Sequence, residues 1–517
     1  MIRRSRPTGT PSPVTWAGSC DNGTTMPISR RVFVTGSLTG AGVLALSACS
    51  SPSPAPTASS PAPTGTPTPT ATTASGVTPA AFRRSSWGDD PYAYGSNSVL
   101  TTESTSTDRE TLRASLDDKV FFAGEAVAAT WPGTVTGARL SGVAVAAEVA
   151  AVAAPGERIA VIGAGIAGAT AARTLADQGF DVVVIEARQR VGGRIASSQG
   201  DDWPIEVQTG VSMLFGDGAA DLESLLTSAG VVTVPFEAET TAREGSARTR
   251  FPTTATVAAT LASARAWADR QSAEVSVDGA LDGSGVRSKL SSAPDASGVS
   301  DADRLAWVLA EALPARFGAD ADALSSRALS VGAAPVDAQL VTKGFAAYVA
   351  GLLTDLDVLR GSNVTQITYA NEGVGLRLVT GESLSADRVV STIPLGVFKK
   401  QRIVFVPEQS AVRRSAIDRL GMGVQDVLWL RFDERIWSTD DTVWAILDDD
   451  ATYRLWVNLE PATGYPILVA LIGGESAVAA EKLSDAEAVA AAVADLAPYL
   501  DRVADDASPT PSPTPSS

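Results

Sequence analysis

RIAVIGAGIAGATAARTLADQGFDVVVIEARQRVGGR, running from Arg158 to Arg194, decides the fold of this 517-residue chain. Ile159 to Ile162 is an apolar run of the length of a buried parallel strand, and Gly163, Gly165 and Gly168 follow at the G-x-G-x-x-G spacing. The spacing gives each glycine a task. Gly163 permits a tight turn, Gly165 lets a pyrophosphate reach the backbone, and Gly168 lets a helix starting near Ile166 pack closely on the strand. The N–H groups of that helix's first turn, around Ile166 and Ala167, then face the phosphates. A second strand, Val182 to Ile185, delivers Glu186 to the place of a ribose hydroxyl. Strand, glycine turn, helix, strand and acid in this order predict an α/β fold with a Rossmann-like dinucleotide-binding domain.

The residues after Glu186 narrow the cofactor. Ala187, Arg188, Gly192, Gly193 and Arg194 form an E-A-R-x-R-x-G-G-R run that resembles the extended fingerprint of FAD-dependent oxidases and desaturases rather than that of nicotinamide dehydrogenases, which implies FAD. From Gly200 to about Leu496 the chain is similar to the flavin-containing amine oxidase family of monoamine, polyamine and L-amino-acid oxidases. The resemblance rests on TGVSMLFG at Thr209 to Gly216, KGFAAYVAGL at Lys343 to Leu352 and VTQI at Val364 to Ile367. It continues through ADRVVSTIPLGVFKKQRIVFVPEQ at Ala386 to Gln409 and AIDRLGMGVQDVLWLRFDERIW at Ala416 to Trp437. The family's closing motifs, W-x-x-D-P-Y-x-x-G-S-Y-S and F-A-G-E-A leading into a last helix, do not follow. They resemble SSWGDDPYAYGSNS at Ser85 to Ser98 and FFAGEAVAATWPGTVTGARLSGVAVAAEVAAV at Phe121 to Val152, ahead of the first Rossmann strand.

That order implies a circular permutation, with Ala151 to Glu157 joining the family's last helix to its first strand. Permutation is tolerated where termini lie close together at a surface. The resemblance then implies a set of residues around FAD. Gly124, Glu125, Thr134, Val135, Gly210, Val211, Ser212, Val364 and Thr392 join Gly163, Gly165, Ile166, Ala167, Gly168, Glu186, Ala187, Arg188, Gly193 and Arg194. It also implies a mixed α+β substrate domain. The helix after Gly133 points its N-terminus at the flavin, where a helix end favours negative charge by about 0.3–1 kcal/mol.

The catalytic positions depart from the family pattern. The lysine beside flavin N5 falls on Val427, next to Asp426, and the two aromatic cage positions fall on Val99 and Thr134. Asn97 stands at the first tyrosine of G-S-Y-S-Y and Thr136 at the family's histidine. Two readings stay open. One is an FAD enzyme that oxidises a C–N bond of a small amine or amino acid by hydride transfer to flavin N5, passing electrons to oxygen or another acceptor. The other is an exported flavoprotein of the same fold without amine oxidation, acting as a binding or redox-relay module. Trp429, Trp437, Trp444 and Trp456 are candidates for cavity lining, though aromatics in a β-rich segment more commonly form core. Asp448 to Asp450 read as a solvated turn, and Lys399 and Lys400 as surface residues.

Location is read from the front of the chain. Ser29, Arg30, Arg31, Val32 and Phe33 resemble a twin-arginine export motif, and Leu46-Ser47-Ala48-Cys49 resembles a lipoprotein box with Cys49 as the lipidated residue. Met26 stands three residues before the motif and offers an alternative start. The expected place is the outer face of the cytoplasmic membrane, held by the lipid alone. Past the signal no apolar run is expected to span a bilayer. A net charge of −17 argues against nucleic acid, and the absence of histidine excludes His-based acid–base chemistry and His metal sites. The expected division is a signal at 1–49, a Pro/Ser/Thr-rich linker at 50–82, and an FAD-binding domain at 83–240, of which 83–152 is the family's C-terminal segment. The first stretch of the substrate domain follows at 241–335, the FAD domain continues at 336–402, and 403–500 holds the remaining substrate-domain stretch with a return to the FAD domain. A disordered tail ends the chain at 501–517. The Ala-rich Thr254 to Ala268 reads as helix and Val277 to Ser300 as loop.

Overall fold

Apolar residues on both faces of consecutive short runs force those runs into the middle of a layered structure. The computed structural model describes residues 77–500 except 216–219, 237–239, 245–246, 251–253, 332–337 and 371. The Arg30–Arg31 motif, Cys49, most of the 50–82 linker and the 501–517 tail lie outside the described residues. The front half of the fold is built from β1 (Ala81–Arg84), β2 (Asn97–Val99), α1 (Asp108–Arg113), β3 (Val120–Phe122), α2 (Val135–Val152), β4 (Arg158–Ile162), α3 (Ile166–Asp177) and β5 (Asp181–Ile185).

A five-stranded parallel sheet runs in the order Asp357–Leu359, β5, β4, Arg388–Ser391, β3. Period-2 alternation assigns its two faces. Phe121, Val161, Val182 and Val184 meet α2 and α3, whereas Phe122, Ala160, Ile162, Val183 and Ile185 meet a four-stranded sheet led by Val364–Ala370. Small residues bring α2 and α3 close: a Cβ on Gly142 would lie 2.3 Å from the Ala167 carbonyl. The segment ahead of the glycine turn therefore supplies both an edge strand and a covering helix of the same sheet. Arg388 ties the junction down, bonding the Glu157 carboxylate at 2.7 Å and the Val152 carbonyl at 2.9 Å.

The second unit is a seven-stranded sheet in the order β1, Gln425–Arg431, Ile467–Gly473, Leu455–Asn458, Val443–Ile446, Thr240–Glu244, Ala247–Arg250. Alternation again sorts the side chains. Trp429 joins a core with Trp203, Trp307 and the helices of residues 255–313, while Leu428 and Leu430 join Trp437, Trp444, Trp456 and Tyr499 on the other face. All four tryptophans offered as cavity lining are core.

Several expectations are corrected. β1 belongs to the seven-stranded sheet rather than to the linker or the FAD domain, pairing antiparallel with Leu428–Arg431. Strand Val404–Val406 pairs with Val364–Ala370 of the four-stranded sheet, so the expected boundary at residue 403 does not separate the two. Helix Asp485–Asp495 buries Val489, Ala492 and Val493 against the seven-stranded sheet. Val277–Ser284 is helix, not loop: Val277, Ala280 and Leu281 bury one stripe, Ser276 caps the start and left-handed Gly285 ends it. Ala255–Ala268 is helix behind its Thr254 cap. Among the described residues one helix, α2, does have the length and apolarity of a membrane span, and it serves as a core helix with Val145, Ala146 and Val149 buried. Lys399 is drawn inward rather than exposed, its Nζ capping the carbonyls of Ile417, Asp418 and Leu420. Asp448–Asp450 form an exposed turn.

Candidate cofactor and active site

The cleft opens where β4 hands over to α3. Gly163 has φ +102°, a conformation that side chains resist, and a Cβ there would meet Thr392 Oγ1 at 2.4 Å. At Gly168 a Cβ would come within 2.0 Å of the Gly163 carbonyl, so this glycine sets the helix–strand distance. Gly165 differs from both. Its backbone is extended, and the nearest atoms to a Cβ are Gly192 O and Gly193 Cα at 3.9 Å. The fold thus leaves the space before Gly165 open, and no side chain caps the first turn of α3. Uncapped N–H groups facing open space fit a diphosphate. The second glycine turn laces onto the first through a bridge between Gly165 and Gly192 and a 2.8 Å bond from Gly192 N–H to Ala164 O.

Glu186 ends β5 with its carboxylate buried and oriented by backbone. Oε2 accepts the Ala164 N–H at 2.7 Å and Oε1 the Arg188 N–H at 2.8 Å. Each oxygen keeps a lone pair for a ribose hydroxyl. At the other end stands Glu125, whose Oε1 accepts from Arg194 at 2.9 Å and Oε2 from Ser98 Oγ at 2.6 Å. Burial alone would raise its pKa, but Arg194, Ser98 and Arg109 outweigh burial and hold the carboxyl below its ordinary value, so it stays ionised. Thr134 caps α2, accepting the Gly137 N–H at 3.0 Å and donating to the Trp131 carbonyl at 2.6 Å.

The cleft holds about 1110 Å³ of space, its open mouth included. Gly124, Glu125, Thr134, Val135, Gly163, Gly165, Ile166, Ala167, Glu186, Ala187, Arg188, Gly193, Arg194, Val211, Val364 and Thr392 all line it. Gly168, Gly210 and Ser212 stand behind its wall. Gly210 lets the backbone pass Arg194 O, 2.0 Å from its Cβ position, and the Ser212 carbonyl accepts the Val341 N–H at 2.9 Å. Sequence reasoning missed Tyr92 and Ser96, which line the cleft from the loop between β1 and β2, and Asp90, which grips Arg188. The W-x-x-D-P-Y resemblance of that loop was the available signal.

Two of the three catalytic-position residues do not line this cleft. Val99 is buried in β2, paired with Gly421. Val427 packs half-buried against the core that holds Trp203, Trp307 and Trp429, and its N–H donates to Ser85 Oγ at 2.9 Å. Beside it, Asp426 is buried, with Oδ1 accepting from Ser85 Oγ at 2.7 Å and from the Trp87 N–H at 3.0 Å. Burial first, and the neighbouring Glu481 charge second, push its pKa up to about 7 against those two bonds. Thr134 alone of the three faces the cleft, and among the described lining residues Tyr92 is the one aromatic ring.

With this geometry in place, the sequence profile described as flavin containing amine oxidoreductase matches residues 71–150 and 166–512, well over half of the chain. The chain belongs to this family. The amine oxidoreductase is FAD-dependent, and the cleft that Gly165, Glu186 and Glu125 build fits that cofactor. It is 28% identical over 371 residues to polyamine oxidase 2 of Arabidopsis thaliana, covering 68% of this chain and 73% of that protein. It is 30% identical over 356 residues to polyamine oxidase 4 of Oryza sativa subsp. japonica, covering 64% and 70%. A putrescine oxidase solved with putrescine shares the fold at TM-score 0.51 and 22% identity, over 66% of this chain and 81% of that one.

Proposed function

We propose that this amine oxidoreductase oxidises a C–N bond of a small aliphatic amine of the di- or polyamine class. The observation that carries the reading is the complete cradle: open space at Gly165, an oriented Glu186 and an ionised Glu125 meet in one cleft. The names of its relatives support the substrate class. FAD, when bound, supplies the acceptor for the hydride. The protein's own role is to bind and orient, with the N-terminus of α2 at the cleft favouring negative charge that develops there. No lysine or histidine lines the cleft among the described residues, and its two carboxylates, Glu125 and Glu186, are already bonded to protein donors, which supports chemistry carried by positioning and electrostatics. The second reading, a flavoprotein without amine oxidation, is favoured by valine at residues 427 and 99, where the family resemblance implies lysine and tyrosine. Anaerobic mixing of the purified protein with putrescine, longer polyamines and amino acids separates the two. Bleaching of the flavin by polyamines supports the enzyme; a flavin untouched by every amine, yet reducible by dithionite, supports the relay.

Circular permutation is supported by the position of β3 and α2 inside the glycine-turn domain and by a profile match that resumes at residue 166. Export and lipid anchoring rest on Arg30, Arg31 and Cys49. A Cys49→Ala variant that stays in the membrane fraction after export would sink the anchoring reading.

A further inference from the structure

Tyr92 and Ser96 of the loop Trp87–Ser96 line the cleft, and the loop is secured along its length. At its start, the Trp87 N–H donates to Asp426 Oδ1 at 3.0 Å and the Gly88 N–H to Glu481 Oε1 at 2.6 Å. At its end, the Ser96 carbonyl accepts from Arg194 at 2.7 Å and the Ser96 N–H donates to Gly423 O at 2.8 Å. The middle is held by Asp90. Its two oxygens take the two terminal nitrogens of Arg188 at 2.7 and 2.6 Å, a fork-to-fork pair, and the Tyr92 ring lies 5.1 Å from the guanidinium carbon. Asp90 also shapes the loop itself, accepting the Tyr92 N–H on Oδ1 at 2.9 Å and the Tyr94 N–H on its carbonyl at 2.8 Å.

Arg188 is two residues beyond Glu186, and both Arg188 and Tyr92 line the cleft. A dinucleotide held between Gly165 and Glu186 would share the cleft with this pair. The Arg188 guanidinium is engaged by Asp90 and is not left to neutralise phosphate, so its charge serves the loop. Bidentate arginine–carboxylate pairs are the strong, geometrically specific members of their class. This one is partly solvated, with side-chain exposures of 14% and 17%, so salt reaches it.

We propose that the Trp87–Ser96 loop is the retaining strap of the cofactor cleft and that Asp90, through Arg188, is the positioning residue that sets how fast FAD leaves. The proposal rests on the FAD assignment. The test loads wild type and Asp90→Asn with FAD, dilutes both, and follows the rise of free-flavin fluorescence. Asparagine keeps an acceptor for the Tyr92 N–H and loses the charge. The expected result is release about tenfold faster in Asp90→Asn, the size of a partly screened bidentate charge pair, with unchanged melting of the apoprotein. Release within twofold of wild type in Asp90→Asn would overturn the latch while leaving FAD binding intact, whereas wild type that takes up no FAD would overturn both. If Asp90→Asn fails to fold, the salt series on wild type decides. Release that quickens from low to high ionic strength supports the strap, and a flat series overturns it.

Discussion

At the residue scale the glycines carry the function, and they do so in different ways. Of the three glycines in the first turn, Gly165 is the one whose Cβ the protein itself would accept, since its φ is ordinary and its nearest neighbours are 3.9 Å away. Gly165→Val should therefore fold with near wild-type melting and emerge colourless, because the added methyls fill the diphosphate space. A yellow variant carrying stoichiometric FAD would refute the assignment. Asp426 offers a pH test. Its folded pKa of about 7 lies above its ordinary carboxylate value, so its contribution to stability is full below that ordinary value and is lost as pH rises toward about 7. Asp426→Asn keeps an oxygen for Ser85 and Trp87 and cannot ionise. Its melting-temperature advantage over wild type should widen from about pH 4 to about pH 7 and then stay level; a constant difference across that range would show that Asp426 is ionised throughout. The glycines and Glu186 were legible in the sequence because spacing alone specifies turns and strand ends. Asp90 and Asp426 were not, since each acts through a partner 98 or 341 residues away in the chain.

At the element scale, contact distance between helices matters more than propensity. α2 and α3 approach through Gly142, and Gly142→Val would press a side chain into the Ala167 carbonyl at the first turn that cradles the cofactor. We expect a loss of about 1–3 kcal/mol, the usual cost of overpacking, read by urea unfolding, together with weaker FAD retention. Unchanged stability would mean that α2 shifts away without cost. Element type was readable wherever apolar period and caps coincided, as in β4, α3 and Ala255–Ala268. Helix Val277–Ser284 was missed because two glycines and two aspartates gave it a loop composition, while its buried stripe needed only Val277, Ala280 and Leu281. The boundary at residue 403 failed for a related reason: Val404–Val406 pairs with a strand some forty residues earlier, and pairing partners are not written in local sequence.

For the whole molecule, the two ends of the described chain meet on one cluster. Val77 and Leu500 both pack with the Trp437, Trp444 and Tyr499 group, and Leu500 bridges to Trp437. Joining residue 500 to residue 77 by a short linker and opening the exposed Pro155–Gly156 turn should give a folded, FAD-binding protein melting within a few degrees of the parent. Loss of FAD would show that the joint between α2 and β4 does more than connect them. The same cluster has an optical side. Trp444 and Tyr499 stack at 4.6 Å with planes 5° apart, and Trp437 meets Trp444 edge-on at 5.6 Å. Indole emission from this group reports the seven-stranded sheet, whereas visible absorbance from a bound flavin reports the five-stranded one. Heating the loaded protein while recording both colours would therefore reveal, in a single cuvette, whether the two sheets lose their order together or one after the other.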